Sequence, residues 1–151
     1  MRIKMKLILD SNIVLSALIR GSITRKILIE SGWRFYYPKD SLQELEKYKS
    51  LVLEKSGLSE EEYANLYNFL ISHIFTISSN RINENFKEAD NILGKIDPND
   101  VIFIALALSI ENEGIWSDDS HFQQQEKVKI WKTGDVVREF ESFGEQNRRR
   151  F

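Results

Sequence analysis

Residues 97–108 read DPNDVIFIALAL, and this stretch decides how the fold is built. Every residue from Val101 to Leu108 is apolar, so a helix here has no polar side and must be buried. Two carboxylates, Asp97 and Asp100, stand at its start. An aspartate N-cap followed by proline is a favoured helix beginning, so capping is one explanation of these acids. The stretch predicts a buried helix that presents carboxylates at one end.

Around this helix, short apolar runs alternate with segments of helical periodicity. The runs predicted to be strands are MKLILD at 5–10, RFYYP at 34–38, IFTIS at 74–78, GIWSDD at 114–119 and VKIWKT at 128–133. The predicted helices lie at 11–21, 22–32, 41–55, 60–73, 83–95, 97–108 and 134–143. Strands that alternate with helices indicate a mostly parallel sheet covered on both faces. We therefore predict an α/β fold with three layers, α/β/α, around a sheet of about five strands.

Composition restricts the function further. The chain has 151 residues, which suits one domain, and it contains no cysteine, so neither a disulfide framework nor a thiolate metal site is possible. Its only histidines are His73 and His121, too few for a histidine-based zinc site unless carboxylates supply most of the ligands. Any metal site must be built from oxygen, which favours magnesium, manganese or calcium.

The bulk charge and hydrophobicity bear on location and partners. The net charge is −2, so the chain is not a globally basic nucleic-acid binder, although a local basic patch would suffice for binding. No apolar run approaches the length of about 20 residues that a membrane span needs. The opening MRIKMKLILD is too short and too quickly acidic for a signal peptide. We expect a soluble cytoplasmic protein with no membrane partner.

Acidic residues recur where predicted strands end and predicted helices begin. Asp10 follows the first strand, Asp118 and Asp119 follow the fourth, and Glu44 and Asp100 lie in first turns of helices. In open α/β sheets the carboxyl ends of strands and the helix N-termini share one edge, where ligands bind. Acids scattered along the sequence should therefore converge at that edge.

Capping is the competing explanation for each acid taken alone. Ser41 with Glu44 has the spacing of a capping box, as has Ser59 with Glu62, and Asp10 could cap the helix that follows it. Capping does not explain why acids directly follow two apolar strands. Four or more carboxylates at one rim repel each other unless a positive charge lies among them. A divalent cation is the simplest such charge, so the pattern predicts an acidic metal pocket.

The chemistry of such a pocket is narrow. A divalent ion held by acids lowers the pKa of a bound water and stabilises in-line attack on a phosphodiester. The chain has no G-x-S-x-G motif and no cysteine nucleophile, which argues against acyl transfer. It also has no glycine-rich phosphate loop, which argues against a nucleoside triphosphatase. Hydrolysis of a phosphodiester is the reaction that this set of residues favours.

Four segments carry a resemblance to a known family. LILDSNIVLSAL, YYPKDSLQELEKY, DPNDVIFIALAL and IWSDDSHF, in this order and spacing, closely resemble the acidic motifs of PIN-domain ribonucleases, which include the VapC-like toxins of toxin–antitoxin pairs. The resemblance covers essentially the whole chain, including the helix pair at 41–73. It implies a PIN-like fold and a ribonuclease that uses Mg²⁺ or Mn²⁺. By position it implies that the catalytic, metal-holding acids are Asp10, Glu44, Asp100 and Asp119.

The same resemblance assigns supporting residues. Asn12 and Ser117 match polar positions that orient the acids. Ser117-Asp118-Asp119 stands where the family often has threonine, a variable residue and then the acid, so Asp119 is preferred as the metal ligand and Asp118 is expected to support it. Asp97 is an additional acid, for which capping is the first explanation.

Basic residues and partners complete the expectations. Arg20, Arg25 and Lys26 follow the first helix and are weak candidates for phosphate contacts, with a solvated helix face as the alternative. We expect one PIN-like nuclease domain over 1–144 and a basic tail over 145–151 that is either disordered or in contact with RNA. The expected partners are an RNA substrate, an antitoxin protein and a second copy in a homodimer.

Two other classes compete with the nuclease. One is a PIN-like binding module whose acidic site is silent or weak, which the low net charge would suit. The other is a phosphatase or a phospho-receiver domain, since both place acids at strand ends. A haloacid-type phosphatase needs an aspartate two residues after Asp10, where Asn12 stands. A receiver needs a paired acid before its acceptor, which LILDSN lacks.

Overall fold

The structure is a computed structural model that describes the backbone of residues 5–149 and the side chains of residues 5–145. Its strands are β1 (Lys6–Leu9), β2 (Arg34–Pro38), β3 (Ile74–Ile77), β4 (Gly114–Trp116) and β5 (Ile130–Trp131). Its α-helices are α1 (Ser11–Ile19), α2 (Ile23–Glu30), α3 (Leu42–Glu46), α4 (Lys49–Ser56), α5 (Glu60–Ile71), α6 (Ser79–Ile82), α7 (Phe86–Leu93), α8 (Val101–Ser109) and α9 (Thr133–Arg149). Four single-turn 3₁₀ helices lie at Lys39–Ser41, Asn83–Asn85, Pro98–Asp100 and Phe122–Gln124.

The five strands form one parallel sheet in the order β3-β2-β1-β4-β5. Helices α1, α2, α4 and α5 contact each other on one face of the sheet, and α9 joins them through α2. Helices α6 and α7 pack on α8, which lies against β1, β2 and β4 on the other face. The predicted three-layer α/β/α fold with a parallel sheet of five strands is confirmed.

Helix α8 occupies the apolar stretch of the opening sequence. Its buried side chains are Val101, Phe103, Ile104, Ala105 and Leu106. Asp97 begins the 3₁₀ turn that leads into the helix, and its side chain accepts a hydrogen bond from the Asn99 N–H at 3.0 Å. The rigid, buried body of α8 therefore fixes the position of Asp100 at its N-terminus.

Local structure departs from the sequence prediction in the segment 41–55. It contains α3 and α4 as separate helices instead of one continuous helix. Ser41 has helical backbone angles and its side chain makes no capping hydrogen bond, so the predicted capping box with Glu44 is absent. The other predicted capping box is present, since Ser59 and Glu62 exchange hydrogen bonds of 3.0 and 3.1 Å. Because Glu44 caps nothing here, its carboxylate remains available for another role.

The last helix runs through most of the predicted basic tail. Helix α9 extends from Thr133 to Arg149, while Arg150 and Phe151 lie outside the described residues. Within residues 5–149, no helix combines the length and the apolarity that crossing a membrane would require.

Candidate metal centre

Asp10 and Ser117 come together because of the register between β1 and β4. Leu9 pairs with Trp116 in this register, so the residues that follow them are neighbours at the carboxyl edge of the sheet. The Asp10 N–H donates to the Trp116 carbonyl at 3.2 Å. The Ser117 hydroxyl donates to Asp10 Oδ2 at 2.6 Å, and both residues are buried, at 4% and 0% exposure. Ser117 therefore fixes the orientation of the Asp10 carboxylate.

The strand order places this pair at a topological switch point. The chain leaves β1 toward β2 on one side of the sheet and leaves β4 toward β5 on the other. Such a point opens a crevice at the carboxyl ends of the strands, where open α/β sheets bind their ligands. Here the crevice is a pocket of about 370 Å³, and its lining includes Asp10, Glu44, Asp100 and Asp119. The four acids that the sequence singled out thus share one pocket.

Each acid reaches the pocket from a different segment. Asp10 caps α1 through the Asn12 N–H, which donates to Asp10 Oδ1 at 3.4 Å. Glu44 lies on α3 and is exposed to solvent. Asp100 is the half-buried N-cap residue of α8 and makes no side-chain cap. In the described part of the chain the Asn12 amide group makes no hydrogen bond, although Asn12 lines the same pocket.

The adjacent acids Asp118 and Asp119 have different surroundings. Asp119 lines the pocket, and its backbone N–H donates to the Ser117 hydroxyl at 3.0 Å. Asp118 accepts hydrogen bonds from the N–H and the hydroxyl of Thr133, at 2.8 and 2.6 Å. Because Thr133 is the first residue of α9, Asp118 caps that helix. Asp118 thus ties the loop after β4 to the terminal helix.

His121 joins the acids at the outer rim of the pocket. His121 Nδ1 lies 2.8 Å from Asp97 Oδ2 and 3.7 Å from Asp119 Oδ1. Asp97, Asp100, Asp119 and His121 each offer one ligand atom, and these atoms all lie within 4.8 Å of one another. In the sequence, only the position of His121 two residues after Asp119 indicated that it lies near these acids.

Electrostatics of the pocket follow from burial and from the mutual repulsion of its acids. Burial, then contact with Asp97, then the charges of Asp10 and Asp119 raise the pKa of Asp100 to about 7. Burial also raises the pKa of Asp10 against the hydrogen bond from Ser117, and the Asp119 carboxylate adds to the increase. At the rim, the hydrogen bond to Asp97 raises the pKa of His121. Negative charge in the pocket therefore destabilises the folded protein, and a bound cation would reduce the repulsion between the acids.

Tyr37, which no motif in the sequence singles out, contacts the segments that carry the acids. Its hydroxyl lies 2.5 Å from the Ser11 hydroxyl and donates to the Ser41 carbonyl at 3.4 Å. Its ring contacts Phe103 of α8, with centroids 5.9 Å apart. Burial raises the pKa of Tyr37, and the nearby carboxylates of Glu44 and Asp10 raise it further. Tyr37 therefore links the segments that carry Asp10, Glu44 and Asp100 while it remains protonated.

The three basic residues after α1 do not act as one group. Arg25 donates through Nε to the Ala17 carbonyl at 2.7 Å and through Nη2 to the Leu18 carbonyl at 3.3 Å, so it caps the end of α1. Lys26 lines a separate groove together with Arg25. Arg20 is exposed and lines a groove that shares Asn12 with the acidic pocket.

Fold and site together define a class: parallel α/β domains with an acidic pocket at the carboxyl ends of the strands that is suited to a divalent cation. A profile of the PIN domain matches residues 8–141, and the chain belongs to the PIN-domain family. PIN domains are generally nucleases that use divalent metals; this chain has the nuclease fold, and the group of Asp97, Asp100, Asp119 and His121 could bind such an ion. A search among curated proteins found no match.

Proposed function

We propose that this protein is an endoribonuclease that hydrolyses RNA phosphodiester bonds with Mg²⁺ or Mn²⁺ held by Asp10, Glu44, Asp100 and Asp119. The observation that carries the proposal is that these acids come from four separate segments and line one pocket at the switch point of the sheet. Asp100 makes no side-chain cap of α8 and Glu44 forms no capping box, so capping does not account for this set of acids.

The donor set suits a hard divalent cation. All four side chains offer carboxylate oxygen, the ligand type that Mg²⁺ and Mn²⁺ prefer. The buried Asp10 has its pKa raised by burial and by Asp119, so a cation would supply the missing positive charge. When bound, such an ion would activate water and neutralise charge on the scissile phosphate.

The protein's own residues have separate parts in this proposal. Ser117 holds Asp10 in one rotamer by donating to Oδ2, and the Ser117 hydroxyl also accepts the Asp119 N–H. One hydroxyl therefore holds the Asp10 carboxylate and the backbone of Asp119. Asp118 ties the loop after β4 to α9 by accepting two hydrogen bonds from Thr133. Asp97 and His121 are paired at the rim, where they would contact the substrate side of the pocket.

The test is cleavage of a panel of labelled RNAs by the purified protein with Mn²⁺ or Mg²⁺. We expect cleavage that EDTA abolishes and that Asp10→Asn and Asp100→Asn each reduce by at least about a hundredfold, since each removes a ligand charge. Asp90→Asn is the matched control, because Asp90 is exposed on α7 and is not among the residues that line the pocket. Cleavage that persists in EDTA and in Asp100→Asn would contradict the proposal.

A binding module with a silent site is the competing function, and the same preparation separates the two. Calorimetric titration with Mn²⁺ measures whether the pocket holds an ion. RNA binding without cleavage at saturating Mn²⁺ would favour the module over the enzyme.

The proposal extends to the cell. Because the four motifs are similar to those of VapC-like toxins, we expect the free protein to inhibit growth and a partner antitoxin to neutralise it. Induced expression should arrest growth, and Asp100→Asn should relieve the arrest at equal protein level. Normal growth at high expression would contradict the toxin role and leave the nuclease proposal to the cleavage assay.

A further inference from the structure

A groove continues from the acidic pocket along the seam between α1 and α4. Its volume is about 390 Å³, and it shares Asn12 and Leu15 with the acidic pocket. On α1 its lining residues lie on one face, because they are spaced three and four apart from Asn12 to Arg20. On α4 the lining residues are Leu51 and Lys55. The groove therefore adjoins the acidic pocket at Asn12 and Leu15, and we call it the α1–α4 groove.

The groove is lined with unpaired positive charge. Lys47 lines the acidic pocket at one end, and Lys55 and Arg20 line the groove farther along; all three are exposed. Among the described residues none of the three has an ion-pair partner within 4.0 Å, whereas Lys49, on the same helix as Lys55, pairs with Glu60. In a protein of net charge −2, three free cations beside an acidic pocket form the local basic patch that binding to a polyanion requires.

An exposed aromatic ring stands where the pocket meets the groove. Tyr48 is the N-cap residue of α4, lines the acidic pocket and is 46% exposed. Within the described side chains its ring stacks on no other ring and on no cation, unlike Tyr63, which packs against Tyr67. The break between α3 and α4 places Tyr48 here. An exposed ring beside free cations is the arrangement by which proteins stack unpaired bases while they hold the backbone.

We propose that the α1–α4 groove binds single-stranded RNA, with Tyr48 stacked on a base next to the scissile phosphate and Lys47, Lys55 and Arg20 on the phosphates beyond it. This inference rests on the proposed nuclease function and adds the path of the RNA and the residues that hold it. Helix α1 has nine residues and is about 14 Å long, which sets the length of the groove. A duplex would bind less well, because its bases are paired and cannot stack on Tyr48.

The test measures binding separately from cleavage. A fluorescein-labelled single-stranded oligoadenylate of about 12 nucleotides is titrated with the full-length protein by fluorescence anisotropy, with Ca²⁺ added to occupy the acidic pocket and gels to verify intact RNA. We expect Tyr48→Ala to weaken binding about tenfold and Tyr48→Phe to leave it unchanged. A duplex of equal length should bind more weakly and be insensitive to Tyr48→Ala.

The salt dependence tests the cations. Lys55→Gln should lower the slope of log affinity against log salt by about 0.7, the value for one phosphate contact on a single strand. Lys127→Gln is the matched control, because Lys127 is exposed at the opposite edge of the sheet, beside the residue that begins β4. The proposal that RNA binds in the α1–α4 groove would be refuted if Lys55→Gln and Lys127→Gln changed the salt slope equally. Unchanged RNA affinity in Tyr48→Ala would also refute it.

The outcomes also separate this inference from the proposed function. If the groove variants weaken RNA binding but the wild-type protein cleaves no RNA with Mn²⁺, the proposed nuclease function is refuted and RNA binding in the groove is supported. If Tyr48→Ala and Lys55→Gln cleave RNA with an unchanged KM, the proposed nuclease function is supported and RNA binding in the groove is refuted.

Discussion

Replacement of Asp100 by asparagine should stabilise the protein in the absence of metal. Asp100 is half-buried at the start of α8, beside Asp97 and within the field of Asp10 and Asp119. Asparagine keeps the size and polarity of the side chain but carries no charge. Since burial and the neighbouring acids raise the pKa of Asp100 to about 7, the charged form is the one that the fold disfavours, and the substitution removes it.

The sign and size of this effect follow from linkage between protonation and folding. A group whose pKa is higher in the folded state contributes stability at low pH, and this stability is lost as the pH rises from 3.8, its ordinary value, to about 7. The difference of about 3 pH units would correspond to at most about 4 kcal/mol. Asp100 is only half-buried, so solvent screening reduces this figure to about 1–2 kcal/mol. For a chain of this length that is about 2–8 °C in Tm.

The assay is thermal unfolding of EDTA-treated protein from about pH 4.5 to about pH 8.5. We expect the Tm of Asp100→Asn to exceed that of the wild type by an amount that grows up to about pH 7 and then levels off. Asp90→Asn, an exposed change on α7, should show a constant difference. Added Mn²⁺ should reverse the order, because an ion at a hundred times its Kd stabilises the wild type by about 2.7 kcal/mol. A variant that is less stable than the wild type by the same amount at every pH would refute the repulsion argument.

Three further predictions follow from other contacts. In chemical denaturation, Gly114→Ala should lower the free energy of unfolding by at least about 3 kcal/mol, because φ is +138° and a Cβ would lie 2.4 Å from a backbone carbonyl oxygen. The control Gly57→Ala, at φ +73° in open space, should lower it by only about 1 kcal/mol. In the metal-free protein, NMR titration should give His121 a pKa above 6.5, and Asp97→Asn should lower it toward that value; a pKa unchanged by Asp97→Asn would contradict the pairing. Asp118→Ala should lower the free energy of unfolding by about 1 kcal/mol, because the cap of α9 is lost. The Mn²⁺ affinity measured by calorimetry should not change, and a large loss of affinity would place Asp118 at the metal.

The sequence alone was sufficient for the architecture because the relevant signals are local. Apolar runs of four or five residues between helical segments predict strands, and the limits of β2 agree with the predicted segment RFYYP. The run of apolar residues after Asp100 could form only a buried helix, and α8 is that helix. The rule that carboxyl ends of parallel strands share an edge then sufficed to expect Asp10, Glu44, Asp100 and Asp119 in one place.

Other features depended on the tertiary structure because they join residues distant in the chain. Ser41 and Glu44 have the spacing of a capping box, but the backbone at Ser41 is already helical, so the box does not form. Spacing alone could not show this. The contact of His121 with Asp97 spans 24 positions, and the contact of Tyr37 with Ser11 spans 26. Such contacts depend on strand register and helix packing, which no local pattern encodes.

By itself, the sequence determined the three-layer parallel fold, its buried α8 and the edge at which acids gather, because periodicity and strand polarity are properties of short segments. Only the tertiary structure decided that Asp118 binds Thr133 and that Arg25 caps the end of α1. It also set the raised pKa of Asp100. Side-chain direction, desolvation and the distance between charges arise only when remote segments pack against one another.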